Sequence, residues 1–538
     1  MTLDKRSRAL ISAGFFCVAA VLGGGAQAAE VYPGCAQPGP AGGKVWYLDP
    51  VNGKTPAAGG NGSRAAPWNS LVGVLSFKFP PGYTRPLLSS VPYFHIVDGK
   101  KVYVADQLGS PPIQPGDTIE LMSGDYGDIA IGDYMQQIVN PSFVTVEAAP
   151  GQSPLFTTLY IRSTNKWVFK GVKVQSLIGT NNNKQALVTV TDQGAPHPTS
   201  DIILENMEVS SADNTDGWTQ PDWLARVRVV GVSAKGSDHG TNTTCVSVTN
   251  SHISKVIFGS EVMANNMLFS DNEIDRFGDD GIDYVASNIL IANNYIHDDL
   301  DLGNGAHMDG MQGYPGASTN VVIDSNRVIR QTDPKLPFPN YLQGIDAFDG
   351  DWTNLTVTNN VVVTSACWGI GYSSVHGGKI INNTVLADGL VPMPGNCKPA
   401  VAVGDKTHQG QSSNDVIVRN NLANSLSIYN PDPNMTMDHN ICLGIDGKCQ
   451  ILTFVDGKPK WGVYEPGEYA DHNIVDRRGA EGTFVSFDPA KFVYDLRLRS
   501  GALAIGAGNS AEAPPVDITG APRGSRIDVG AYQYAPLK

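Results

Sequence analysis

The sequence predicts an all-β fold, a parallel β-helix in which each coil lays its strands on those of the coil before. Two observations predict it. Segments of one pattern recur through the middle of the chain, each an apolar run, an asparagine and more apolar residues, and Asn272 and Asn294 are 22 residues apart. These segments are also rich in Val, Ile and Thr, with few helical patterns. Short repeats of β-forming residues are typical of a solenoid of stacked strands.

The recurring asparagines are expected at one turn of each coil. An asparagine amide both donates and accepts hydrogen bonds and tolerates turn conformations, so an inward asparagine can bond the backbone of the next coil. We therefore interpret this column as structural. Its predicted members are Asn272, Asn294, Asn326, Asn360, Asn383 and Asn421, extended by Asn206, Asn250 and Asn440.

Both ends of the chain resemble capping segments of a known kind. Segments 45–71 and 113–127 resemble the opening of secreted, pectate-lyase-like β-helix proteins, and segment 496–534 resembles their closing coil. The resemblance implies a right-handed parallel β-helix (solenoid) with capping segments at both ends, which close open sheet edges. The expected organisation is a signal peptide at 1–28, an N-terminal cap and first coils at 29–130, the β-helix with its groove at 131–450, and C-terminal coils and cap at 451–538.

The first 28 residues are typical of an export signal, with basic residues, an apolar run and small residues before a cleavage point. We therefore expect a secreted or periplasmic protein without a membrane span. Six cysteines follow Cys17, and an even number in an exported chain suggests disulfides. Cys442 and Cys449 flank a short turn and form the first expected pair. Cys367 with Cys397 is the second, which leaves Cys35 with Cys245.

The net charge of −14 argues against nucleic-acid binding. It also means that an acidic polymer would need a local patch of Arg and Lys or a bound cation. A monomer acting on a polysaccharide is expected.

Three coils carry insertions at the same turn, with the sequences HDDLDLGNGAHM, QTDPKLPFPNYL and ADGLVPMPGNCK. Each insertion lies between an asparagine-containing segment and the next strand. Loops that leave the same turn of successive coils stack into a wall. A wall beside a flat sheet forms a groove, which suits a linear polymer.

The strands that follow these turns can be aligned. Successive side chains of a strand point to opposite faces, so one column should point inward and the next outward. The expected inward column is Ile282, Met311, Ile345 and Ile370, and the outward column is Asp283, Gln312, Asp346 and Gly371. A column of Asp, Gln and Asp is unlike a simple solvated repeat surface, and it predicts a functional groove floor.

Asp279, Asp280 and Asp283 form a DDxxD pattern that resembles the calcium-binding pattern of the family-nine pectate lyases. The resemblance implies a Ca²⁺ site, with Glu261 from the preceding coil as a further ligand, and carboxylate oxygens are the ligands that Ca²⁺ prefers. The alternative is an Asp-rich turn that bonds its own backbone.

His307 and Asp309 are the central catalytic candidates. β-Elimination from a uronate needs a base at C5–H, an acid at the leaving oxygen and neutralisation of the carboxylate. His307 is predicted as that base or acid, with Asp309 orienting its ring; the alternative is a solvated loop histidine beside a turn cap. Lys335 and Asp346 complete the predicted catalytic set.

Other polar and aromatic side chains near the loops are predicted to contact the sugar. For Arg330 the sequence also allows a structural ion-pair column with Arg276 and Asp298. Phe348 and Trp352 are candidates for stacking on a pyranose ring. The predicted substrate-binding residues are Gln312, Tyr314, Arg330, Tyr341, Asp349, Tyr372 and His376.

Three functions fit these features. The first is a lyase that cleaves a uronate-containing polysaccharide. The second is a glycoside hydrolase that uses paired aspartates. The third is a non-catalytic glycan-binding surface protein, against which the clustered insertions count.

Overall fold

A computed structural model describes residues 30–536 of the chain. The description leaves out the internal segments 40–41, 76–79, 93, 99, 104–110, 133–136, 177–185, 193–196, 228–229, 237–241, 392–397, 405–411, 429–433, 445–448, 456–457, 465–466 and 470–471. The predicted signal peptide and Cys397 lie outside the described residues.

Three long sheets run the length of the molecule, and each coil contributes one strand to each sheet. Sheet 1 consists of Val45–Leu48, Thr118–Leu121, Val144–Ala148, Asn165–Lys170, Thr199–Glu205, Thr243–Thr249, Met267–Ser270, Ile289–Ala292, Gly316–Asp324, Gly350–Thr358, Val375–Ile381, Asn414–Arg419 and Thr436–Asp438. Sheet 2 consists of Gly124–Asp125, Pro154–Phe156, Lys173–Gln175, Glu208–Ser210, His252–Val256, Glu273–Phe277, Tyr295–His297, Arg327–Ile329, Val361–Thr364, Thr384–Ala387, Leu422–Ala423, Ile441–Leu443, Asn473–Asp476 and Gly467–Tyr469.

Sheet 3 consists of Asp128–Ile131, Thr158–Arg162, Val188–Thr191, Val230–Lys235, Phe258–Met263, Ile282–Tyr284, Asp309–Gly313, Gln343–Ala347, Trp368–Ser373, Ala400–Gly404, Ser425–Ile428, Cys449–Val455 and Lys458–Tyr464. Strands from successive coils pair in parallel, and antiparallel pairs join these sheets only at their last strands, Gly467–Tyr469 and Lys458–Tyr464. The predicted fold, a right-handed parallel β-helix, is confirmed.

The remaining elements lie outside the three sheets. Two antiparallel hairpins pair Phe94–Val97 with Lys100–Tyr103 and Phe484–Asp488 with Val493–Leu498. The short helices are Leu71–Leu75, Gln220–Arg226 and Gly479–Thr483, with 3₁₀ turns at Pro56–Ala58 and Pro489–Lys491. No helix in the described part of the chain is long and apolar enough to cross a bilayer.

The predicted asparagine column forms a continuous buried hydrogen-bond ladder. The backbone N–H of Asn294 donates to Oδ1 of Asn326 at 3.0 Å, and the Asn326 amide donates to the carbonyl of Ile291 at 2.9 Å. The same pattern continues to Asn473, which the sequence prediction missed. Each amide thus satisfies backbone groups of two coils that would otherwise be buried without partners.

Two predicted members of the column are one position out of register. Asn206 and Asn250 adopt left-handed φ angles of 53° and 51°, the conformation of the residue that precedes each ladder asparagine. In the coil of Asn250 the ladder position belongs to Ser251, whose backbone N–H donates to Asn272. The prediction failed here because both neighbouring positions of the turn favour asparagine, one for its hydrogen bonds and the other for its backbone conformation.

The disulfide left by elimination is present: Cys35 and Cys245 are joined across 210 positions of sequence, with Cα atoms 5.6 Å apart. Cys367 and Cys442 are also disulfide-bonded. Their predicted partners, Cys397 and Cys449, are outside the described side chains, so those two pairings stay predictions.

Asn326→Ala should lower the free energy of unfolding by about 2–4 kcal/mol, because it leaves several buried backbone groups without partners at roughly 1–1.5 kcal/mol each. Urea denaturation monitored by circular dichroism measures the change. Asn354→Gly is the matched control, since Asn354 is exposed, makes one side-chain bond to Asn320, and has a left-handed φ of 56° that glycine keeps. An equal loss of stability in both variants would contradict the role of the ladder.

Candidate active site

The outward column predicted on the groove floor is formed by sheet 3. Asp283 pairs with Gln312, Gln312 with Asp346, and Asp346 with Gly371 on successive strands. Glu261 extends the same column by one coil. The inward column of Ile282, Met311, Ile345 and Ile370 is fully buried in the coil interior, as predicted.

Glycines beside this column let the coils approach closely. A Cβ atom at Gly281 would lie 2.5 Å from the carbonyl oxygen of Gly310, and one at Gly310 would lie 2.9 Å from the carbonyl oxygen of Gly344. Neither distance is compatible with a side chain, so only glycine fits here. In the repeated Asp-Gly and Gln-Gly pairs, the close backbone contact therefore requires the glycine but does not determine the residue before it.

Two of the predicted insertions, 297–308 and 331–342, form loops that stack at the turn between sheets 2 and 3. The backbone N–H of Asp301 donates to the carbonyl of Phe338 at 2.8 Å. Asp298 accepts bonds from the backbone N–H groups of Thr332 and Asp333, at 2.6 and 3.0 Å. The helix Gln220–Arg226, which the sequence analysis missed, packs Trp223 against the same loops. These contacts define a wall beside sheet 3.

Arg330 is part of this wall, and the prediction that it binds substrate is wrong. Its guanidinium is 1 % exposed, forms an ion pair with Asp388 and donates to the carbonyl of Asn340 at 2.9 Å. It therefore ties the second loop to the third. In the expected column of Arg276, Asp298 and Arg330, the ion pairs of Arg276 are with Asp275 and Asp333, and the nearby Asp298 adds to the negative charge that raises its pKa.

Four carboxyl groups lie buried on the outer face of sheet 3, in two facing pairs. Asp280 faces Asp283, and Asp309 faces Asp346, each within hydrogen-bonding reach. All four are at most 3 % exposed. A carboxylate only accepts hydrogen bonds, so each pair can form its bond only when one member holds a proton. Apart from these contacts, one oxygen each of Asp283 and Asp346 has no hydrogen-bond partner, and Asp309 also contacts the side chains of His307 and Gln343.

Burial and mutual repulsion raise the pKa values of this cluster. Burial is the largest cause for Asp280, Asp283 and Asp346, whose pKa values lie well above the ordinary range, and neighbouring carboxylates add to it. The pKa of the half-buried Asp279 rises to about 6 through burial and the nearby Asp309. Titratable groups with such values can hold or release protons near neutral pH.

His307 is the cationic partner of the cluster. Its Nδ1 lies 3.4 Å from Oδ2 of Asp309, and its imidazole is 67 % exposed whereas Asp309 is fully buried. The bond to Asp309 raises the pKa of His307 above its ordinary value. The amide of Gln343 lies 2.8 Å from Nε2 of His307. The structure thus brings His307, Asp309 and Asp346 together as predicted, with an imidazole that reaches the surface from a buried acid.

The carboxyl cluster contains the type of ligand that Ca²⁺ prefers, but its oxygens do not point towards one common position. Its donors are hard oxygens without partners, which fits Ca²⁺. However, no three His, Cys, Asp or Glu side chains among the described residues are arranged to hold a metal ion. Asp279, Asp280 and Asp283 would hold the ion only after the shared protons are lost and the carboxylates turn towards a common point.

The other predicted contacts differ in how near they lie to the cluster. The hydroxyl of Tyr314 is half-buried, and its pKa is raised first by burial and then by Asp283. Asp349 is exposed and raises the pKa of Asp346. Gln312 is half-buried in the floor column. These three positions are compatible with substrate contact.

Three more predicted residues lie further along the wall or beyond it. Lys335 is exposed in the second loop, where its backbone N–H donates to Asp333. Tyr341 is half-buried near the end of that loop. His376 is on sheet 1, where it lies 2.9 Å from Asp351. Their proposed roles stay predictions.

Two aromatic predictions are wrong. Tyr372 is 1 % exposed and points into the coil, where its hydroxyl lies 2.7 Å from that of Tyr284. Trp352 is also fully buried in the interior, packed against Tyr284. Both residues occupy inward positions of their strands, which the alternation around Gly371 and Asp351 would have predicted.

Gln343 and Trp368 were not among the predicted contacts, whereas Phe348 was. Gln343, which bonds His307, pairs with Asp309 across the sheet. Phe348 and Trp368 form a half-buried aromatic pair, with ring centroids 4.9 Å apart. Gln343 and Trp368 directly precede the aligned glycines Gly344 and Gly369, and this position could have indicated that they lie at the site.

The fold and the site define a parallel β-helix with a loop-walled, carboxyl-rich face. No family model and no curated protein matches the sequence. Among solved structures, the chain resembles pectate lyase Pel9A with 15 % identity and a TM-score of 0.45, over 91 % of this chain and 96 % of that one.

Two further structures resemble it less. A GH136 lacto-N-biosidase from Eubacterium ramulus has 13 % identity and a TM-score of 0.35, over 75 % and 68 % of the two chains. A rhamnogalacturonan lyase has 12 % identity and a TM-score of 0.35, over 74 % and 87 %. At these values the similarities carry no argument about function, which therefore depends on the site itself.

Asp346→Asn should stabilise the protein at alkaline pH. The pKa of this carboxyl group is higher in the folded protein than in the unfolded chain, where it is about 4. The free energy of unfolding therefore falls as the pH rises from about 4 through the pKa of the folded state. Removing the charge should raise the free energy of unfolding relative to the native protein, and should do so more at pH 9 than at pH 5. Urea unfolding at pH 5 and pH 9 measures it.

Asp415→Asn, which alters an exposed carboxylate on sheet 1, is the control for this prediction and should change stability little at either pH. A stability difference between Asp346→Asn and the native protein that does not change between pH 5 and pH 9 would contradict the assigned titration.

Proposed function

We propose that this protein cleaves an acidic polysaccharide by β-elimination in the groove between sheet 3 and the loop wall. The observation that carries the proposal is the buried carboxyl cluster of Asp280, Asp283, Asp309 and Asp346 with His307 at its surface. The stacking of the coils requires the glycines of this face, and of the four acidic side chains Asp280 takes part in it by accepting the backbone N–H of Asp309 at 2.9 Å. Buried like charges destabilise a fold, so a functional role accounts for them.

His307 is suited to the acid role. In β-elimination a base takes the proton from C5, the C4–O4 bond breaks, a C4–C5 double bond forms, and an acid protonates O4. The bond to Asp309 raises the pKa of His307, which favours the protonated imidazole that would give its proton to O4, and Asp309 fixes the ring. Asp346 and Lys335 are the candidates for the base.

The substrate carboxylate must be balanced in a site that is itself acidic. Within the described residues, the one lysine bonded to this column, Lys235, is engaged by Glu261 at 2.7 Å. A bound cation is the remaining way to neutralise a uronate here, and Ca²⁺ bound by Asp279, Asp280 and Asp283 would supply that positive charge.

The carboxyl pairs favour a second candidate, a glycoside hydrolase. A pair in which one carboxyl group holds the proton and the other does not would match the roles of a general acid and a base or nucleophile. Such an enzyme consumes a water molecule and leaves a saturated sugar, whereas a lyase leaves an unsaturated product that absorbs ultraviolet light.

Incubation with a panel of acidic polysaccharides should give ultraviolet-absorbing products. His307→Ala should lower kcat by about 100-fold or more, since a general acid contributes roughly 10²–10⁴-fold. His252→Gln is the matched control, because His252 pairs with Asp275 on sheet 2, away from the groove. Reducing ends without ultraviolet absorbance would favour the hydrolase, and full turnover by both His307→Ala and Asp346→Asn would remove the site from consideration.

Ca²⁺ should raise the thermal unfolding midpoint at pH 8, since a ligand that binds only the folded state stabilises it. Asp283→Asn should abolish this shift, and Asp415→Asn, which alters an exposed carboxylate on sheet 1, should keep it. Differential scanning calorimetry with Ca²⁺ and with EDTA measures the effect. Equal responses of the two variants would contradict the metal assignment.

A further inference from the structure

A cleft of about 350 Å³ lies on sheet 2, between its outer face and the C-terminal hairpin. It is on a different sheet from the carboxyl cluster. Three aliphatic side chains line it together with six aromatic or polar ones, which are those of Tyr295, Arg327, Thr332, Phe492, Tyr494 and Tyr532. Its size is at the lower end for small-molecule sites, which suits a single ring-sized ligand.

The aromatic walls of the cleft are held in place. The ring of Tyr295 stacks on His297 with centroids 4.1 Å apart, and His297 is itself fixed by Asp298 at 2.7 Å. On the other side, the hydroxyl of Tyr494 donates to the carbonyl of Gln331 at 3.0 Å, which joins the hairpin to the second wall loop. Rigid aromatic faces with polar edges contact a sugar ring at little entropic cost.

One lining residue has a strained backbone. Phe492 adopts a φ of 58°, in the left-handed region that bulky side chains avoid, directly after the 3₁₀ turn Pro489–Lys491. Glycine or asparagine would suit this conformation better. Strain of this kind persists where the surrounding structure over-determines it, and it concentrates at ligand-binding sites.

Tyr295 belongs to a column of paired positions on sheet 2, and in that column its tyrosine ring occurs in one coil. The positions paired with Tyr295 along the sheet are Glu208, His252, Glu273, Arg327, Val361 and Thr384. Sheet stacking therefore does not require an aromatic ring here. The only arginine in this set of paired positions is directly beside the only tyrosine.

Arg327 gives the cleft its charge preference. Its side chain is exposed, and it bonds the hydroxyl of Tyr532. In the part of the chain that the structure describes, the guanidinium forms no ion pair. A planar guanidinium with free donors binds a carboxylate in a bidentate manner.

We propose that this cleft is a second saccharide-binding site, which holds one acidic sugar unit with its ring against Tyr295 and Tyr494 and its carboxylate on Arg327. The proposal rests on the proposed function in taking the polymer to be acidic. Because Thr332 and Gln331 belong to the second wall loop, a chain bound here lies at the back of the wall that borders the groove.

The test uses isothermal titration of trigalacturonate and trimannuronate into the full-length protein carrying Asp346→Asn, which limits cleavage of the probe. Adding Arg327→Gln should weaken binding of at least one of the two by about tenfold or remove one of two binding events, and Arg327→Lys should restore part of it. The matched control is Arg497→Gln, since Arg497 is an exposed arginine on the hairpin that pairs with Asp495; its binding should stay within twofold.

Unchanged affinity in Arg327→Gln for both acidic probes would overturn the second site, as would equal, Arg327-independent binding of the neutral maltotriose. Turnover by the native protein reports separately on the proposed function. Arg327-dependent binding in a protein that cleaves no polysaccharide would overturn the proposed function and keep the second site. Turnover without Arg327-dependent binding would do the reverse.

Discussion

The close, in-register stacking of the coils is the constraint on which the rest of this structure depends. Gly281 and Gly310 allow backbone contacts that no side chain would permit, and the buried asparagine ladder bonds each coil to the next. Neighbouring strands are about 4.8 Å apart, so a residue on one coil is held beside its equivalent on the next. Side chains at the same position of successive repeats therefore form a column of close neighbours.

Charge concentrated in this way has consequences for protonation. The register places Asp283, Gln312 and Asp346 in one column, and the side chains of Asp280 and Asp309 contact its two aspartates. In water each would be ionised at neutral pH, whereas here burial and repulsion raise their pKa values well above that of a free carboxyl group. Holding protons, pairing with His307 or binding a cation would each relieve this repulsion.

The loops turn this column into a groove because they are tied to one another. Asp298 holds the second loop through backbone bonds, and Arg330 with Asp388 joins the second loop to the third. The residues that the sequence offered as substrate contacts are thus divided between the wall, the floor, the coil interior and sheet 1. The same second loop also contacts the cleft on sheet 2 through Thr332, so both sides of the wall carry polar and aromatic side chains.

The sequence by itself determined the solenoid, the asparagine column, the inward and outward columns of sheet 3 and the position of the loops, because these follow from a local period repeated many times. It also identified His307, Asp309 and Asp346, which the repeat does not require. Only the tertiary structure decided that Arg330 is a buried residue joining two loops and that Tyr372 points inward. It also decided that Tyr295, Arg327 and Tyr494 line the same cleft. Those outcomes depend on contacts between loops and a distant hairpin, for which no local period gives a signal.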